Sequence, residues 1–160
     1  LDKAVARLVT AIADGEGIAV FGDYDVDGAT SSALLIRYFR ALGIDILVHI
    51  PDRMKEGYGP NLPAMKRLRD AGASVVITVD CGITSFDVLD GAAGLGLDVI
   101  VVDHHAAEPR LPAAWAVVNP NRLDDPSPHG QMAAVGVTFL LVVGLNRALR
   151  KAGKLQEKDG

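Results

Sequence analysis

Seven side chains hold most of this chain's capacity for chemistry, and they fall in three short groups. The first is Gly22-Asp23-Tyr24-Asp25-Val26-Asp27-Gly28, the second Val79-Asp80-Cys81-Gly82, the third Val102-Asp103-His104-His105. Carboxylates gathered within a few ångströms repel, and at neutral pH some would have to hold protons. A divalent cation removes that conflict. Oxygen ligands with one or two imidazoles suit Mn²⁺ or Mg²⁺. Two such ions about 3.5–4 Å apart, sharing a bridging carboxylate, make a site for phosphoryl hydrolysis that activates water and offsets charge on the phosphoryl oxygens.

Each of these residues, taken alone, also has a simpler reading. A single Asp at a strand end commonly caps the next helix, and Asp27 ahead of Gly28-Ala29-Thr30 could be such a cap. A His pair in a loop is commonly a solvated feature. Three groups at successive strand ends are not accounted for in that way. Cys81 reads as a small residue packed beside the site, since no matched base accompanies it. Asp45, Asp98, Asp124 and Asp125 read as loop charge. The first group looks like a calcium loop, but the twelfth position counted from Asp23 is Leu34 rather than Glu, and a strand precedes it instead of a helix. Neither a Walker loop nor a GxGxxG turn occurs.

The elements that must position these groups alternate along the chain. Helical spacing covers residues 2–13, with Val5, Leu8, Val9 and Ile12 on one face. A strand is expected at 18–21, a helix at 28–42, a strand at 44–50 and a long loop at 51–60. A helix at 62–71 leads to a β-branched strand at 74–79. A helix at 84–94, a strand at 99–102, a short strand at 116–118, a loop at 119–130 and a long helix at 133–152 complete the pattern. The strands are continuously apolar, so both their faces must be covered. Strands joined through single helices imply right-handed crossovers and a parallel sheet. The expectation is an α/β fold, a Rossmann-like three-layer sandwich with a mostly parallel sheet of about five strands. Ligands of such sheets bind beyond the carboxyl ends of the strands, where all three groups lie.

Composition limits the alternatives. With 160 residues, 49% of them hydrophobic and 22% charged, the chain reads as a single domain over 1–160 able to bury a core. Aromatic residues make up 5%, too few for stacking to dominate a binding surface. A lone cysteine excludes an internal disulfide and a cysteine-rich zinc site, and fits a cytoplasmic setting. The first residues read as an amphipathic helix rather than a signal peptide, and no apolar run approaches a membrane span. The net charge of −4 argues against a general nucleic-acid binder, yet the strand-end acids Asp23, Asp25, Asp27, Asp80 and Asp103 alone outnumber it. Total charge therefore does not decide the partner.

The three groups resemble the motifs of the DHH phosphoesterase superfamily, whose namesake is Asp103-His104-His105. Three further stretches are similar to its branch of bacterial 5′→3′ exonucleases specific for single-stranded DNA. They are Pro51-Asp52-Arg53-Met54-Lys55-Glu56-Gly57-Tyr58-Gly59, Val118-Asn119-Pro120-Asn121-Arg122 and Ala133-Ala134-Val135-Gly136-Val137. The resemblance implies Mn²⁺ or Mg²⁺ as cofactor, two ions in the complete enzyme, held by Asp25, Asp27, Asp80 and His104, with Asp80 bridging. It implies that His105 faces the scissile phosphate, that Asp103 and Asp23 stand behind the ligands, and that Arg53 clamps phosphate. Asp80, His104 and His105 would be the catalytic set.

The implied reaction releases 5′-mononucleotides from the 5′ end of single-stranded DNA, in repair and recombination, with a helicase and a single-strand-binding protein as partners and no membrane. Other members of the superfamily cleave nanoRNA or cyclic dinucleotides, or serve as non-catalytic scaffolds. A pyrophosphatase fits less well, because Phe21 stands where that branch carries His. The family pattern has a further metal-binding Asp after the long helix, for which Asp159 in the polar tail is a poor match. The expectation is a fragment of a larger multidomain nuclease.

Overall fold

Continuously apolar strands need helices on both faces, and the computed structural model, which describes residues 1–155, provides them. Asp159 lies outside the described residues. The elements run α1 (Asp2–Asp14), β1 (Gly17–Gly22), α2 (Val26–Ala41), β2 (Leu47–His49), α3 (Arg53–Glu56), α4 (Leu62–Asp70), β3 (Ala73–Val79), α5 (Phe86–Gly94), β4 (Asp98–Val102), β5 (Ala116–Val118) and α6 (Ala134–Lys151). All strand pairs are parallel, in the order β2-β1-β3-β4-β5. The three-layer α/β fold expected from the sequence is the one found.

Strand periodicity sorts the core into two halves. Ile18, Val20, Val75, Ile77, Val79, Ile100 and Val102 pack under α1, α2 and α6, against Leu8, Leu35, Phe39, Leu141 and Leu145. Ala19, Phe21, Val76, Val99 and Val101 pack on the other side, against Met65 and Leu68 of α4 and Leu89 of α5. Each fully buried large side chain contributes about 1.5–3 kcal/mol relative to exposure.

Three local expectations are revised. The strand expected at 44–50 shrinks to Leu47–His49, because Gly43 turns left-handed (φ 75°) after α2 and Ile44 and Ile46 tuck against the core rather than joining the ladder. The loop at 51–60 contains the single-turn helix α3, which Asp52 caps by accepting from the Met54 N–H. Helix α2 begins two residues earlier than its periodicity suggests. Its cap is Asp25, not Asp27: the Asp25 carboxylate accepts the N–H groups of Asp27 and Gly28 at 2.9 and 3.1 Å. Gly28 is required at this start, since a Cβ there would collide with the backbone of Asp23.

Order reverses between β1 and β3. From β1 the chain goes outward to β2, then returns across it to β3, β4 and β5. The crevice at such a switch point is where open α/β sheets bind ligands.

Candidate metal centre

The backbone sets three acids level with one another. Asp23, Asp80 and Asp103 each follow the last residue of a strand, and each donates its own N–H sideways to a neighbouring strand. Asp23 donates to Val79 O at 3.3 Å, Asp80 to Val102 O at 3.0 Å and Asp103 to Val118 O at 3.1 Å. Since β1, β3 and β4 are adjacent, these residues stand in a row across the sheet's carboxyl rim, with strands about 4.8 Å apart. All three are buried, at 3, 1 and 0% exposure.

Asp80 is the centre of the row. Among the described residues it is the one non-glycine with positive φ (61°), a conformation that costs an L-residue about 1 kcal/mol or more. Its Oδ1 is buried without a hydrogen-bond partner. Burial first, and then the Asp25 carboxylate beside it, push its carboxyl up to about 7. Asp25 moves the other way, held below the ordinary carboxylate range chiefly by the Gly28 N–H. Burial raises Asp23, against the pull of the Tyr24 N–H that its Oδ1 accepts at 2.8 Å. Two groups of ligand atoms lie within 4.8 Å of one another: Asp23, Asp25 and Asp80, and Asp80, His104 and His105. Asp80 belongs to both.

The two imidazoles are oriented by groups that can only accept. His104 Nδ1 sits 3.0 Å from the carbonyl of Met132, which can only accept, so Nδ1 carries the proton and, in the neutral ring, Nε2 keeps the lone pair. Nε2 lies 3.2 Å from Asp80 Oδ1 and 4.0 Å from Asp27 Oδ2. His105 Nδ1 sits 2.7 Å from Asp103 Oδ1, and its ring is half-exposed. Burial is the largest single influence and lowers the His105 pKa, but the bond to Asp103 and the charges of Asp103, Asp80 and Asp23 together outweigh it, and the net shift is upward. Asp103 has little capacity left for a ligand. Its Oδ1 also accepts from the His104 and His105 N–H groups, and its Oδ2 from the Ile83 N–H.

The structure brings Asp23, Asp25, Asp80, His104 and His105 into one cluster. Asp27 stands at its edge, reaching it only through His104. Asp23, expected behind the ligands, is grouped with Asp25 and Asp80. Arg53 is exposed on α3, its guanidinium 5.1 Å from the centre of the Tyr24 ring in the first motif loop. Sequence reasoning assigned no role to Tyr58, whose hydroxyl donates to Asp80 O at 3.4 Å and whose ring meets that of His105 edge-on, with centroids 6.4 Å apart. It also missed Asn119, Asn121 and the Met132 carbonyl. The two Asn lay inside a quoted motif, but a backbone carbonyl leaves no trace in residue type.

These residues fit a divalent cation. Two acceptor atoms, Asp80 Oδ1 and His104 Nε2, face each other without a hydrogen bond, at the separation of neighbouring ligands on an ion with bonds of about 2.0–2.2 Å. Among the described residues, no Lys or Arg forms an ion pair with the cluster.

Fold and cluster together define a doubly wound α/β domain with a carboxylate–imidazole centre at its switch point. The family model described as "DHH family, N-terminal domain" matches residues 17–159, and the chain belongs to that family. It is 42% identical over 162 residues to the single-stranded-DNA-specific exonuclease RecJ of Escherichia coli (strain K12), covering 99% of this chain and 28% of that protein. It is 41% identical over 145 residues to the RecJ of Bacillus subtilis (strain 168), covering 91% of this chain and 18% of that protein. Among solved structures, an exonuclease RecJ bound to manganese superposes with a TM-score of 0.81 at 37% identity, over 92% of this chain and 37% of that one. The chain thus spans less than a third of the length of these two curated relatives.

Proposed function

We propose that this chain is the catalytic α/β unit of a metal-dependent 5′→3′ exonuclease that hydrolyses single-stranded DNA to 5′-mononucleotides. One observation carries the reading: the buried Asp80 Oδ1 lacks a hydrogen-bond partner and lies 3.2 Å from His104 Nε2, and Asp80 belongs to both ligand groups. The relatives' specificity for single-stranded DNA, and the manganese in the solved RecJ structure, support the substrate and the ion.

In this reading Asp25, Asp27, Asp80 and His104 would hold Mn²⁺ or Mg²⁺, with Asp80 common to both ligand groups and Asp23 at hand beside Asp25. Such ions, when bound, supply the charge that keeps the carboxylates ionised and the Lewis acidity that readies water for attack on phosphorus. The chain's own groups do the rest. Asp103 holds the His105 Nδ1–H, so that Nε2 is presented to the scissile phosphate, where a raised pKa favours a proton that can be donated to a phosphoryl oxygen. Arg53, braced on Tyr24, grips phosphate oxygens from the cleft wall. Rate comes from positioning and charge, with no covalent intermediate.

The setting that goes with this reaction is cytoplasmic repair and recombination of DNA. A helicase would supply the free strand and a single-strand-binding protein would hold it. Among the described residues no helix is long and apolar enough to cross a membrane. Calorimetric titration with Mn²⁺, paired with cleavage of 5′-phosphorylated single strands and duplexes, tests the proposal. Heat of binding that Asp80→Asn removes, with mononucleotides released from the 5′ end of single strands, is the expected result. Absence of binding would end the metal reading. Binding with cleavage of dinucleotides alone would move the substrate to short oligonucleotides.

A further inference from the structure

The loop between β5 and α6 is more than a connection, because it grips the histidine pair from behind. Asn119 is buried at 1% exposure; its Nδ2 donates to the carbonyl of His105 at 2.9 Å and its Oδ1 accepts the Asn121 N–H at 2.8 Å. Asn121 Nδ2 donates to two carbonyls, His104 O at 2.5 Å and Gly130 O at 3.0 Å. Two carbonyl acceptors on one side fix the orientation of that carboxamide, since only its amino group can donate. Two residues beyond Gly130, Met132 presents the carbonyl that receives the His104 Nδ1–H. A turn closed by the Met132 N–H on His129 O at 3.0 Å keeps Gly130 and Met132 together. His104 is therefore held twice: at its main chain by Asn121, and at its ring by a carbonyl on the same turn that Asn121 tethers.

We infer that Asn121 is a positioning residue that sets the tautomer and aim of His104, by binding the His104 carbonyl and the Gly130–Met132 turn to one amide. The alternative neutral tautomer places the proton on Nε2, where it would face Asp80 and Asp27 and could ligate nothing. The Met132 carbonyl forbids that form only while it stays in place, and Asn121 is the one side chain, among the described residues, that ties His104 to the turn carrying it. Groups behind a metal ligand act in this way, fixing ring orientation and protonation from a distance. Glycine at 130 belongs to the same device: a Cβ there would lie 2.6 Å from Asn121 Oδ1 and force the carboxamide aside.

This inference rests on His104 being a metal ligand, but its first test needs no metal. In the metal-free chain, ¹⁵N shifts of the His104 ring report which nitrogen carries the proton. The wild type is expected to show a protonated Nδ1 and a bare Nε2. Asn121→Asp keeps the shape but has no amino group to donate, and should convert His104 to a mixture of tautomers. Gly130→Ala leaves Asn121 in the sequence, displaces its amide and should do the same. Both variants should keep dispersed amide spectra, and both should lose roughly 10–100-fold in Mn²⁺ affinity, the usual cost of an outer partner of a ligand. If both variants keep the wild-type tautomer, Asn121 does not position His104 and the inference is wrong. If the tautomer shifts while the wild-type chain binds no Mn²⁺, the positioning stands and the metal reading fails. Should Asn121→Asp fail to fold, the Gly130→Ala spectrum alone decides.

Discussion

The two ends of the central sheet carry charge in opposite styles. At the amino end of β4, Arg7 of α1 donates to Asp98 at 2.6 Å and to both oxygens of Glu16, at 3.0 and 2.6 Å. Each carboxylate there has its guanidinium, and the Glu16 carboxyl is held below the ordinary range by its bond to Arg7. At the carboxyl end, Asp23, Asp25 and Asp80 crowd together with imidazoles for company, a buried oxygen lacks a partner and a backbone adopts positive φ. One end completes its own charge and the other leaves it for something else to complete. The first is a fastening. The second is strain and desolvation that a bound cation would offset.

The largest way to break that contrast is Asp80→Gly. It removes the shared ligand and also the φ and unpaired-oxygen penalties. Mn²⁺ affinity should fall by more than the roughly 100-fold that loss of an outer partner costs. Metal-free stability in urea should rise by about 1 kcal/mol, since a buried unpaired acceptor is costly. A destabilised variant would mean that Asp80 holds the fold rather than waiting for an ion. His105→Ala should come next: turnover on single strands falling about 100-fold, in keeping with loss of a donor aimed at developing charge, while calorimetric Mn²⁺ affinity changes far less. An equal loss in both would make His105 a ligand first.

Much of this contrast could be read before any fold was known. The strand-end acids and the Asp-His-His triplet advertise themselves by residue type, and continuously apolar strands place them on one rim. Other features could not be read. Asp25 caps α2 while its neighbour Asp27 does not, a choice made by where the backbone turns. Met132 acts through a carbonyl that any residue would supply. The edge strand β2 is short because Ile44 and Ile46 satisfy the core without entering the ladder, which apolarity alone cannot distinguish from a strand. Asp98, read as loop charge, is half of the fastening at the other end, because nothing in the spacing links it to Arg7, 91 residues away.

Arg7→Ala sharpens the comparison from the opposite end. It strands two partly buried carboxylates and should cost about 1–2 kcal/mol in urea unfolding, less than for a fully buried pair, with Mn²⁺ binding unchanged. The smallest effect is its pH dependence. Glu16 has a depressed folded pKa, so its contribution is fully present above the ordinary carboxylate value of 4.5 and is lost as pH falls through the depressed value. The stability gap between wild type and Arg7→Ala should therefore narrow in acid below about pH 4. A gap that widens there would contradict the pairing.

The central claim is that the unpartnered oxygen of Asp80 and the bare nitrogen of His104 are two ligands of one cation. Anomalous diffraction at the manganese edge, from crystals equilibrated with Mn²⁺, tests it most directly. A peak within bonding distance of both atoms is predicted. Crystals that leave the two atoms facing each other across empty density, with manganese elsewhere or nowhere, would contradict the account.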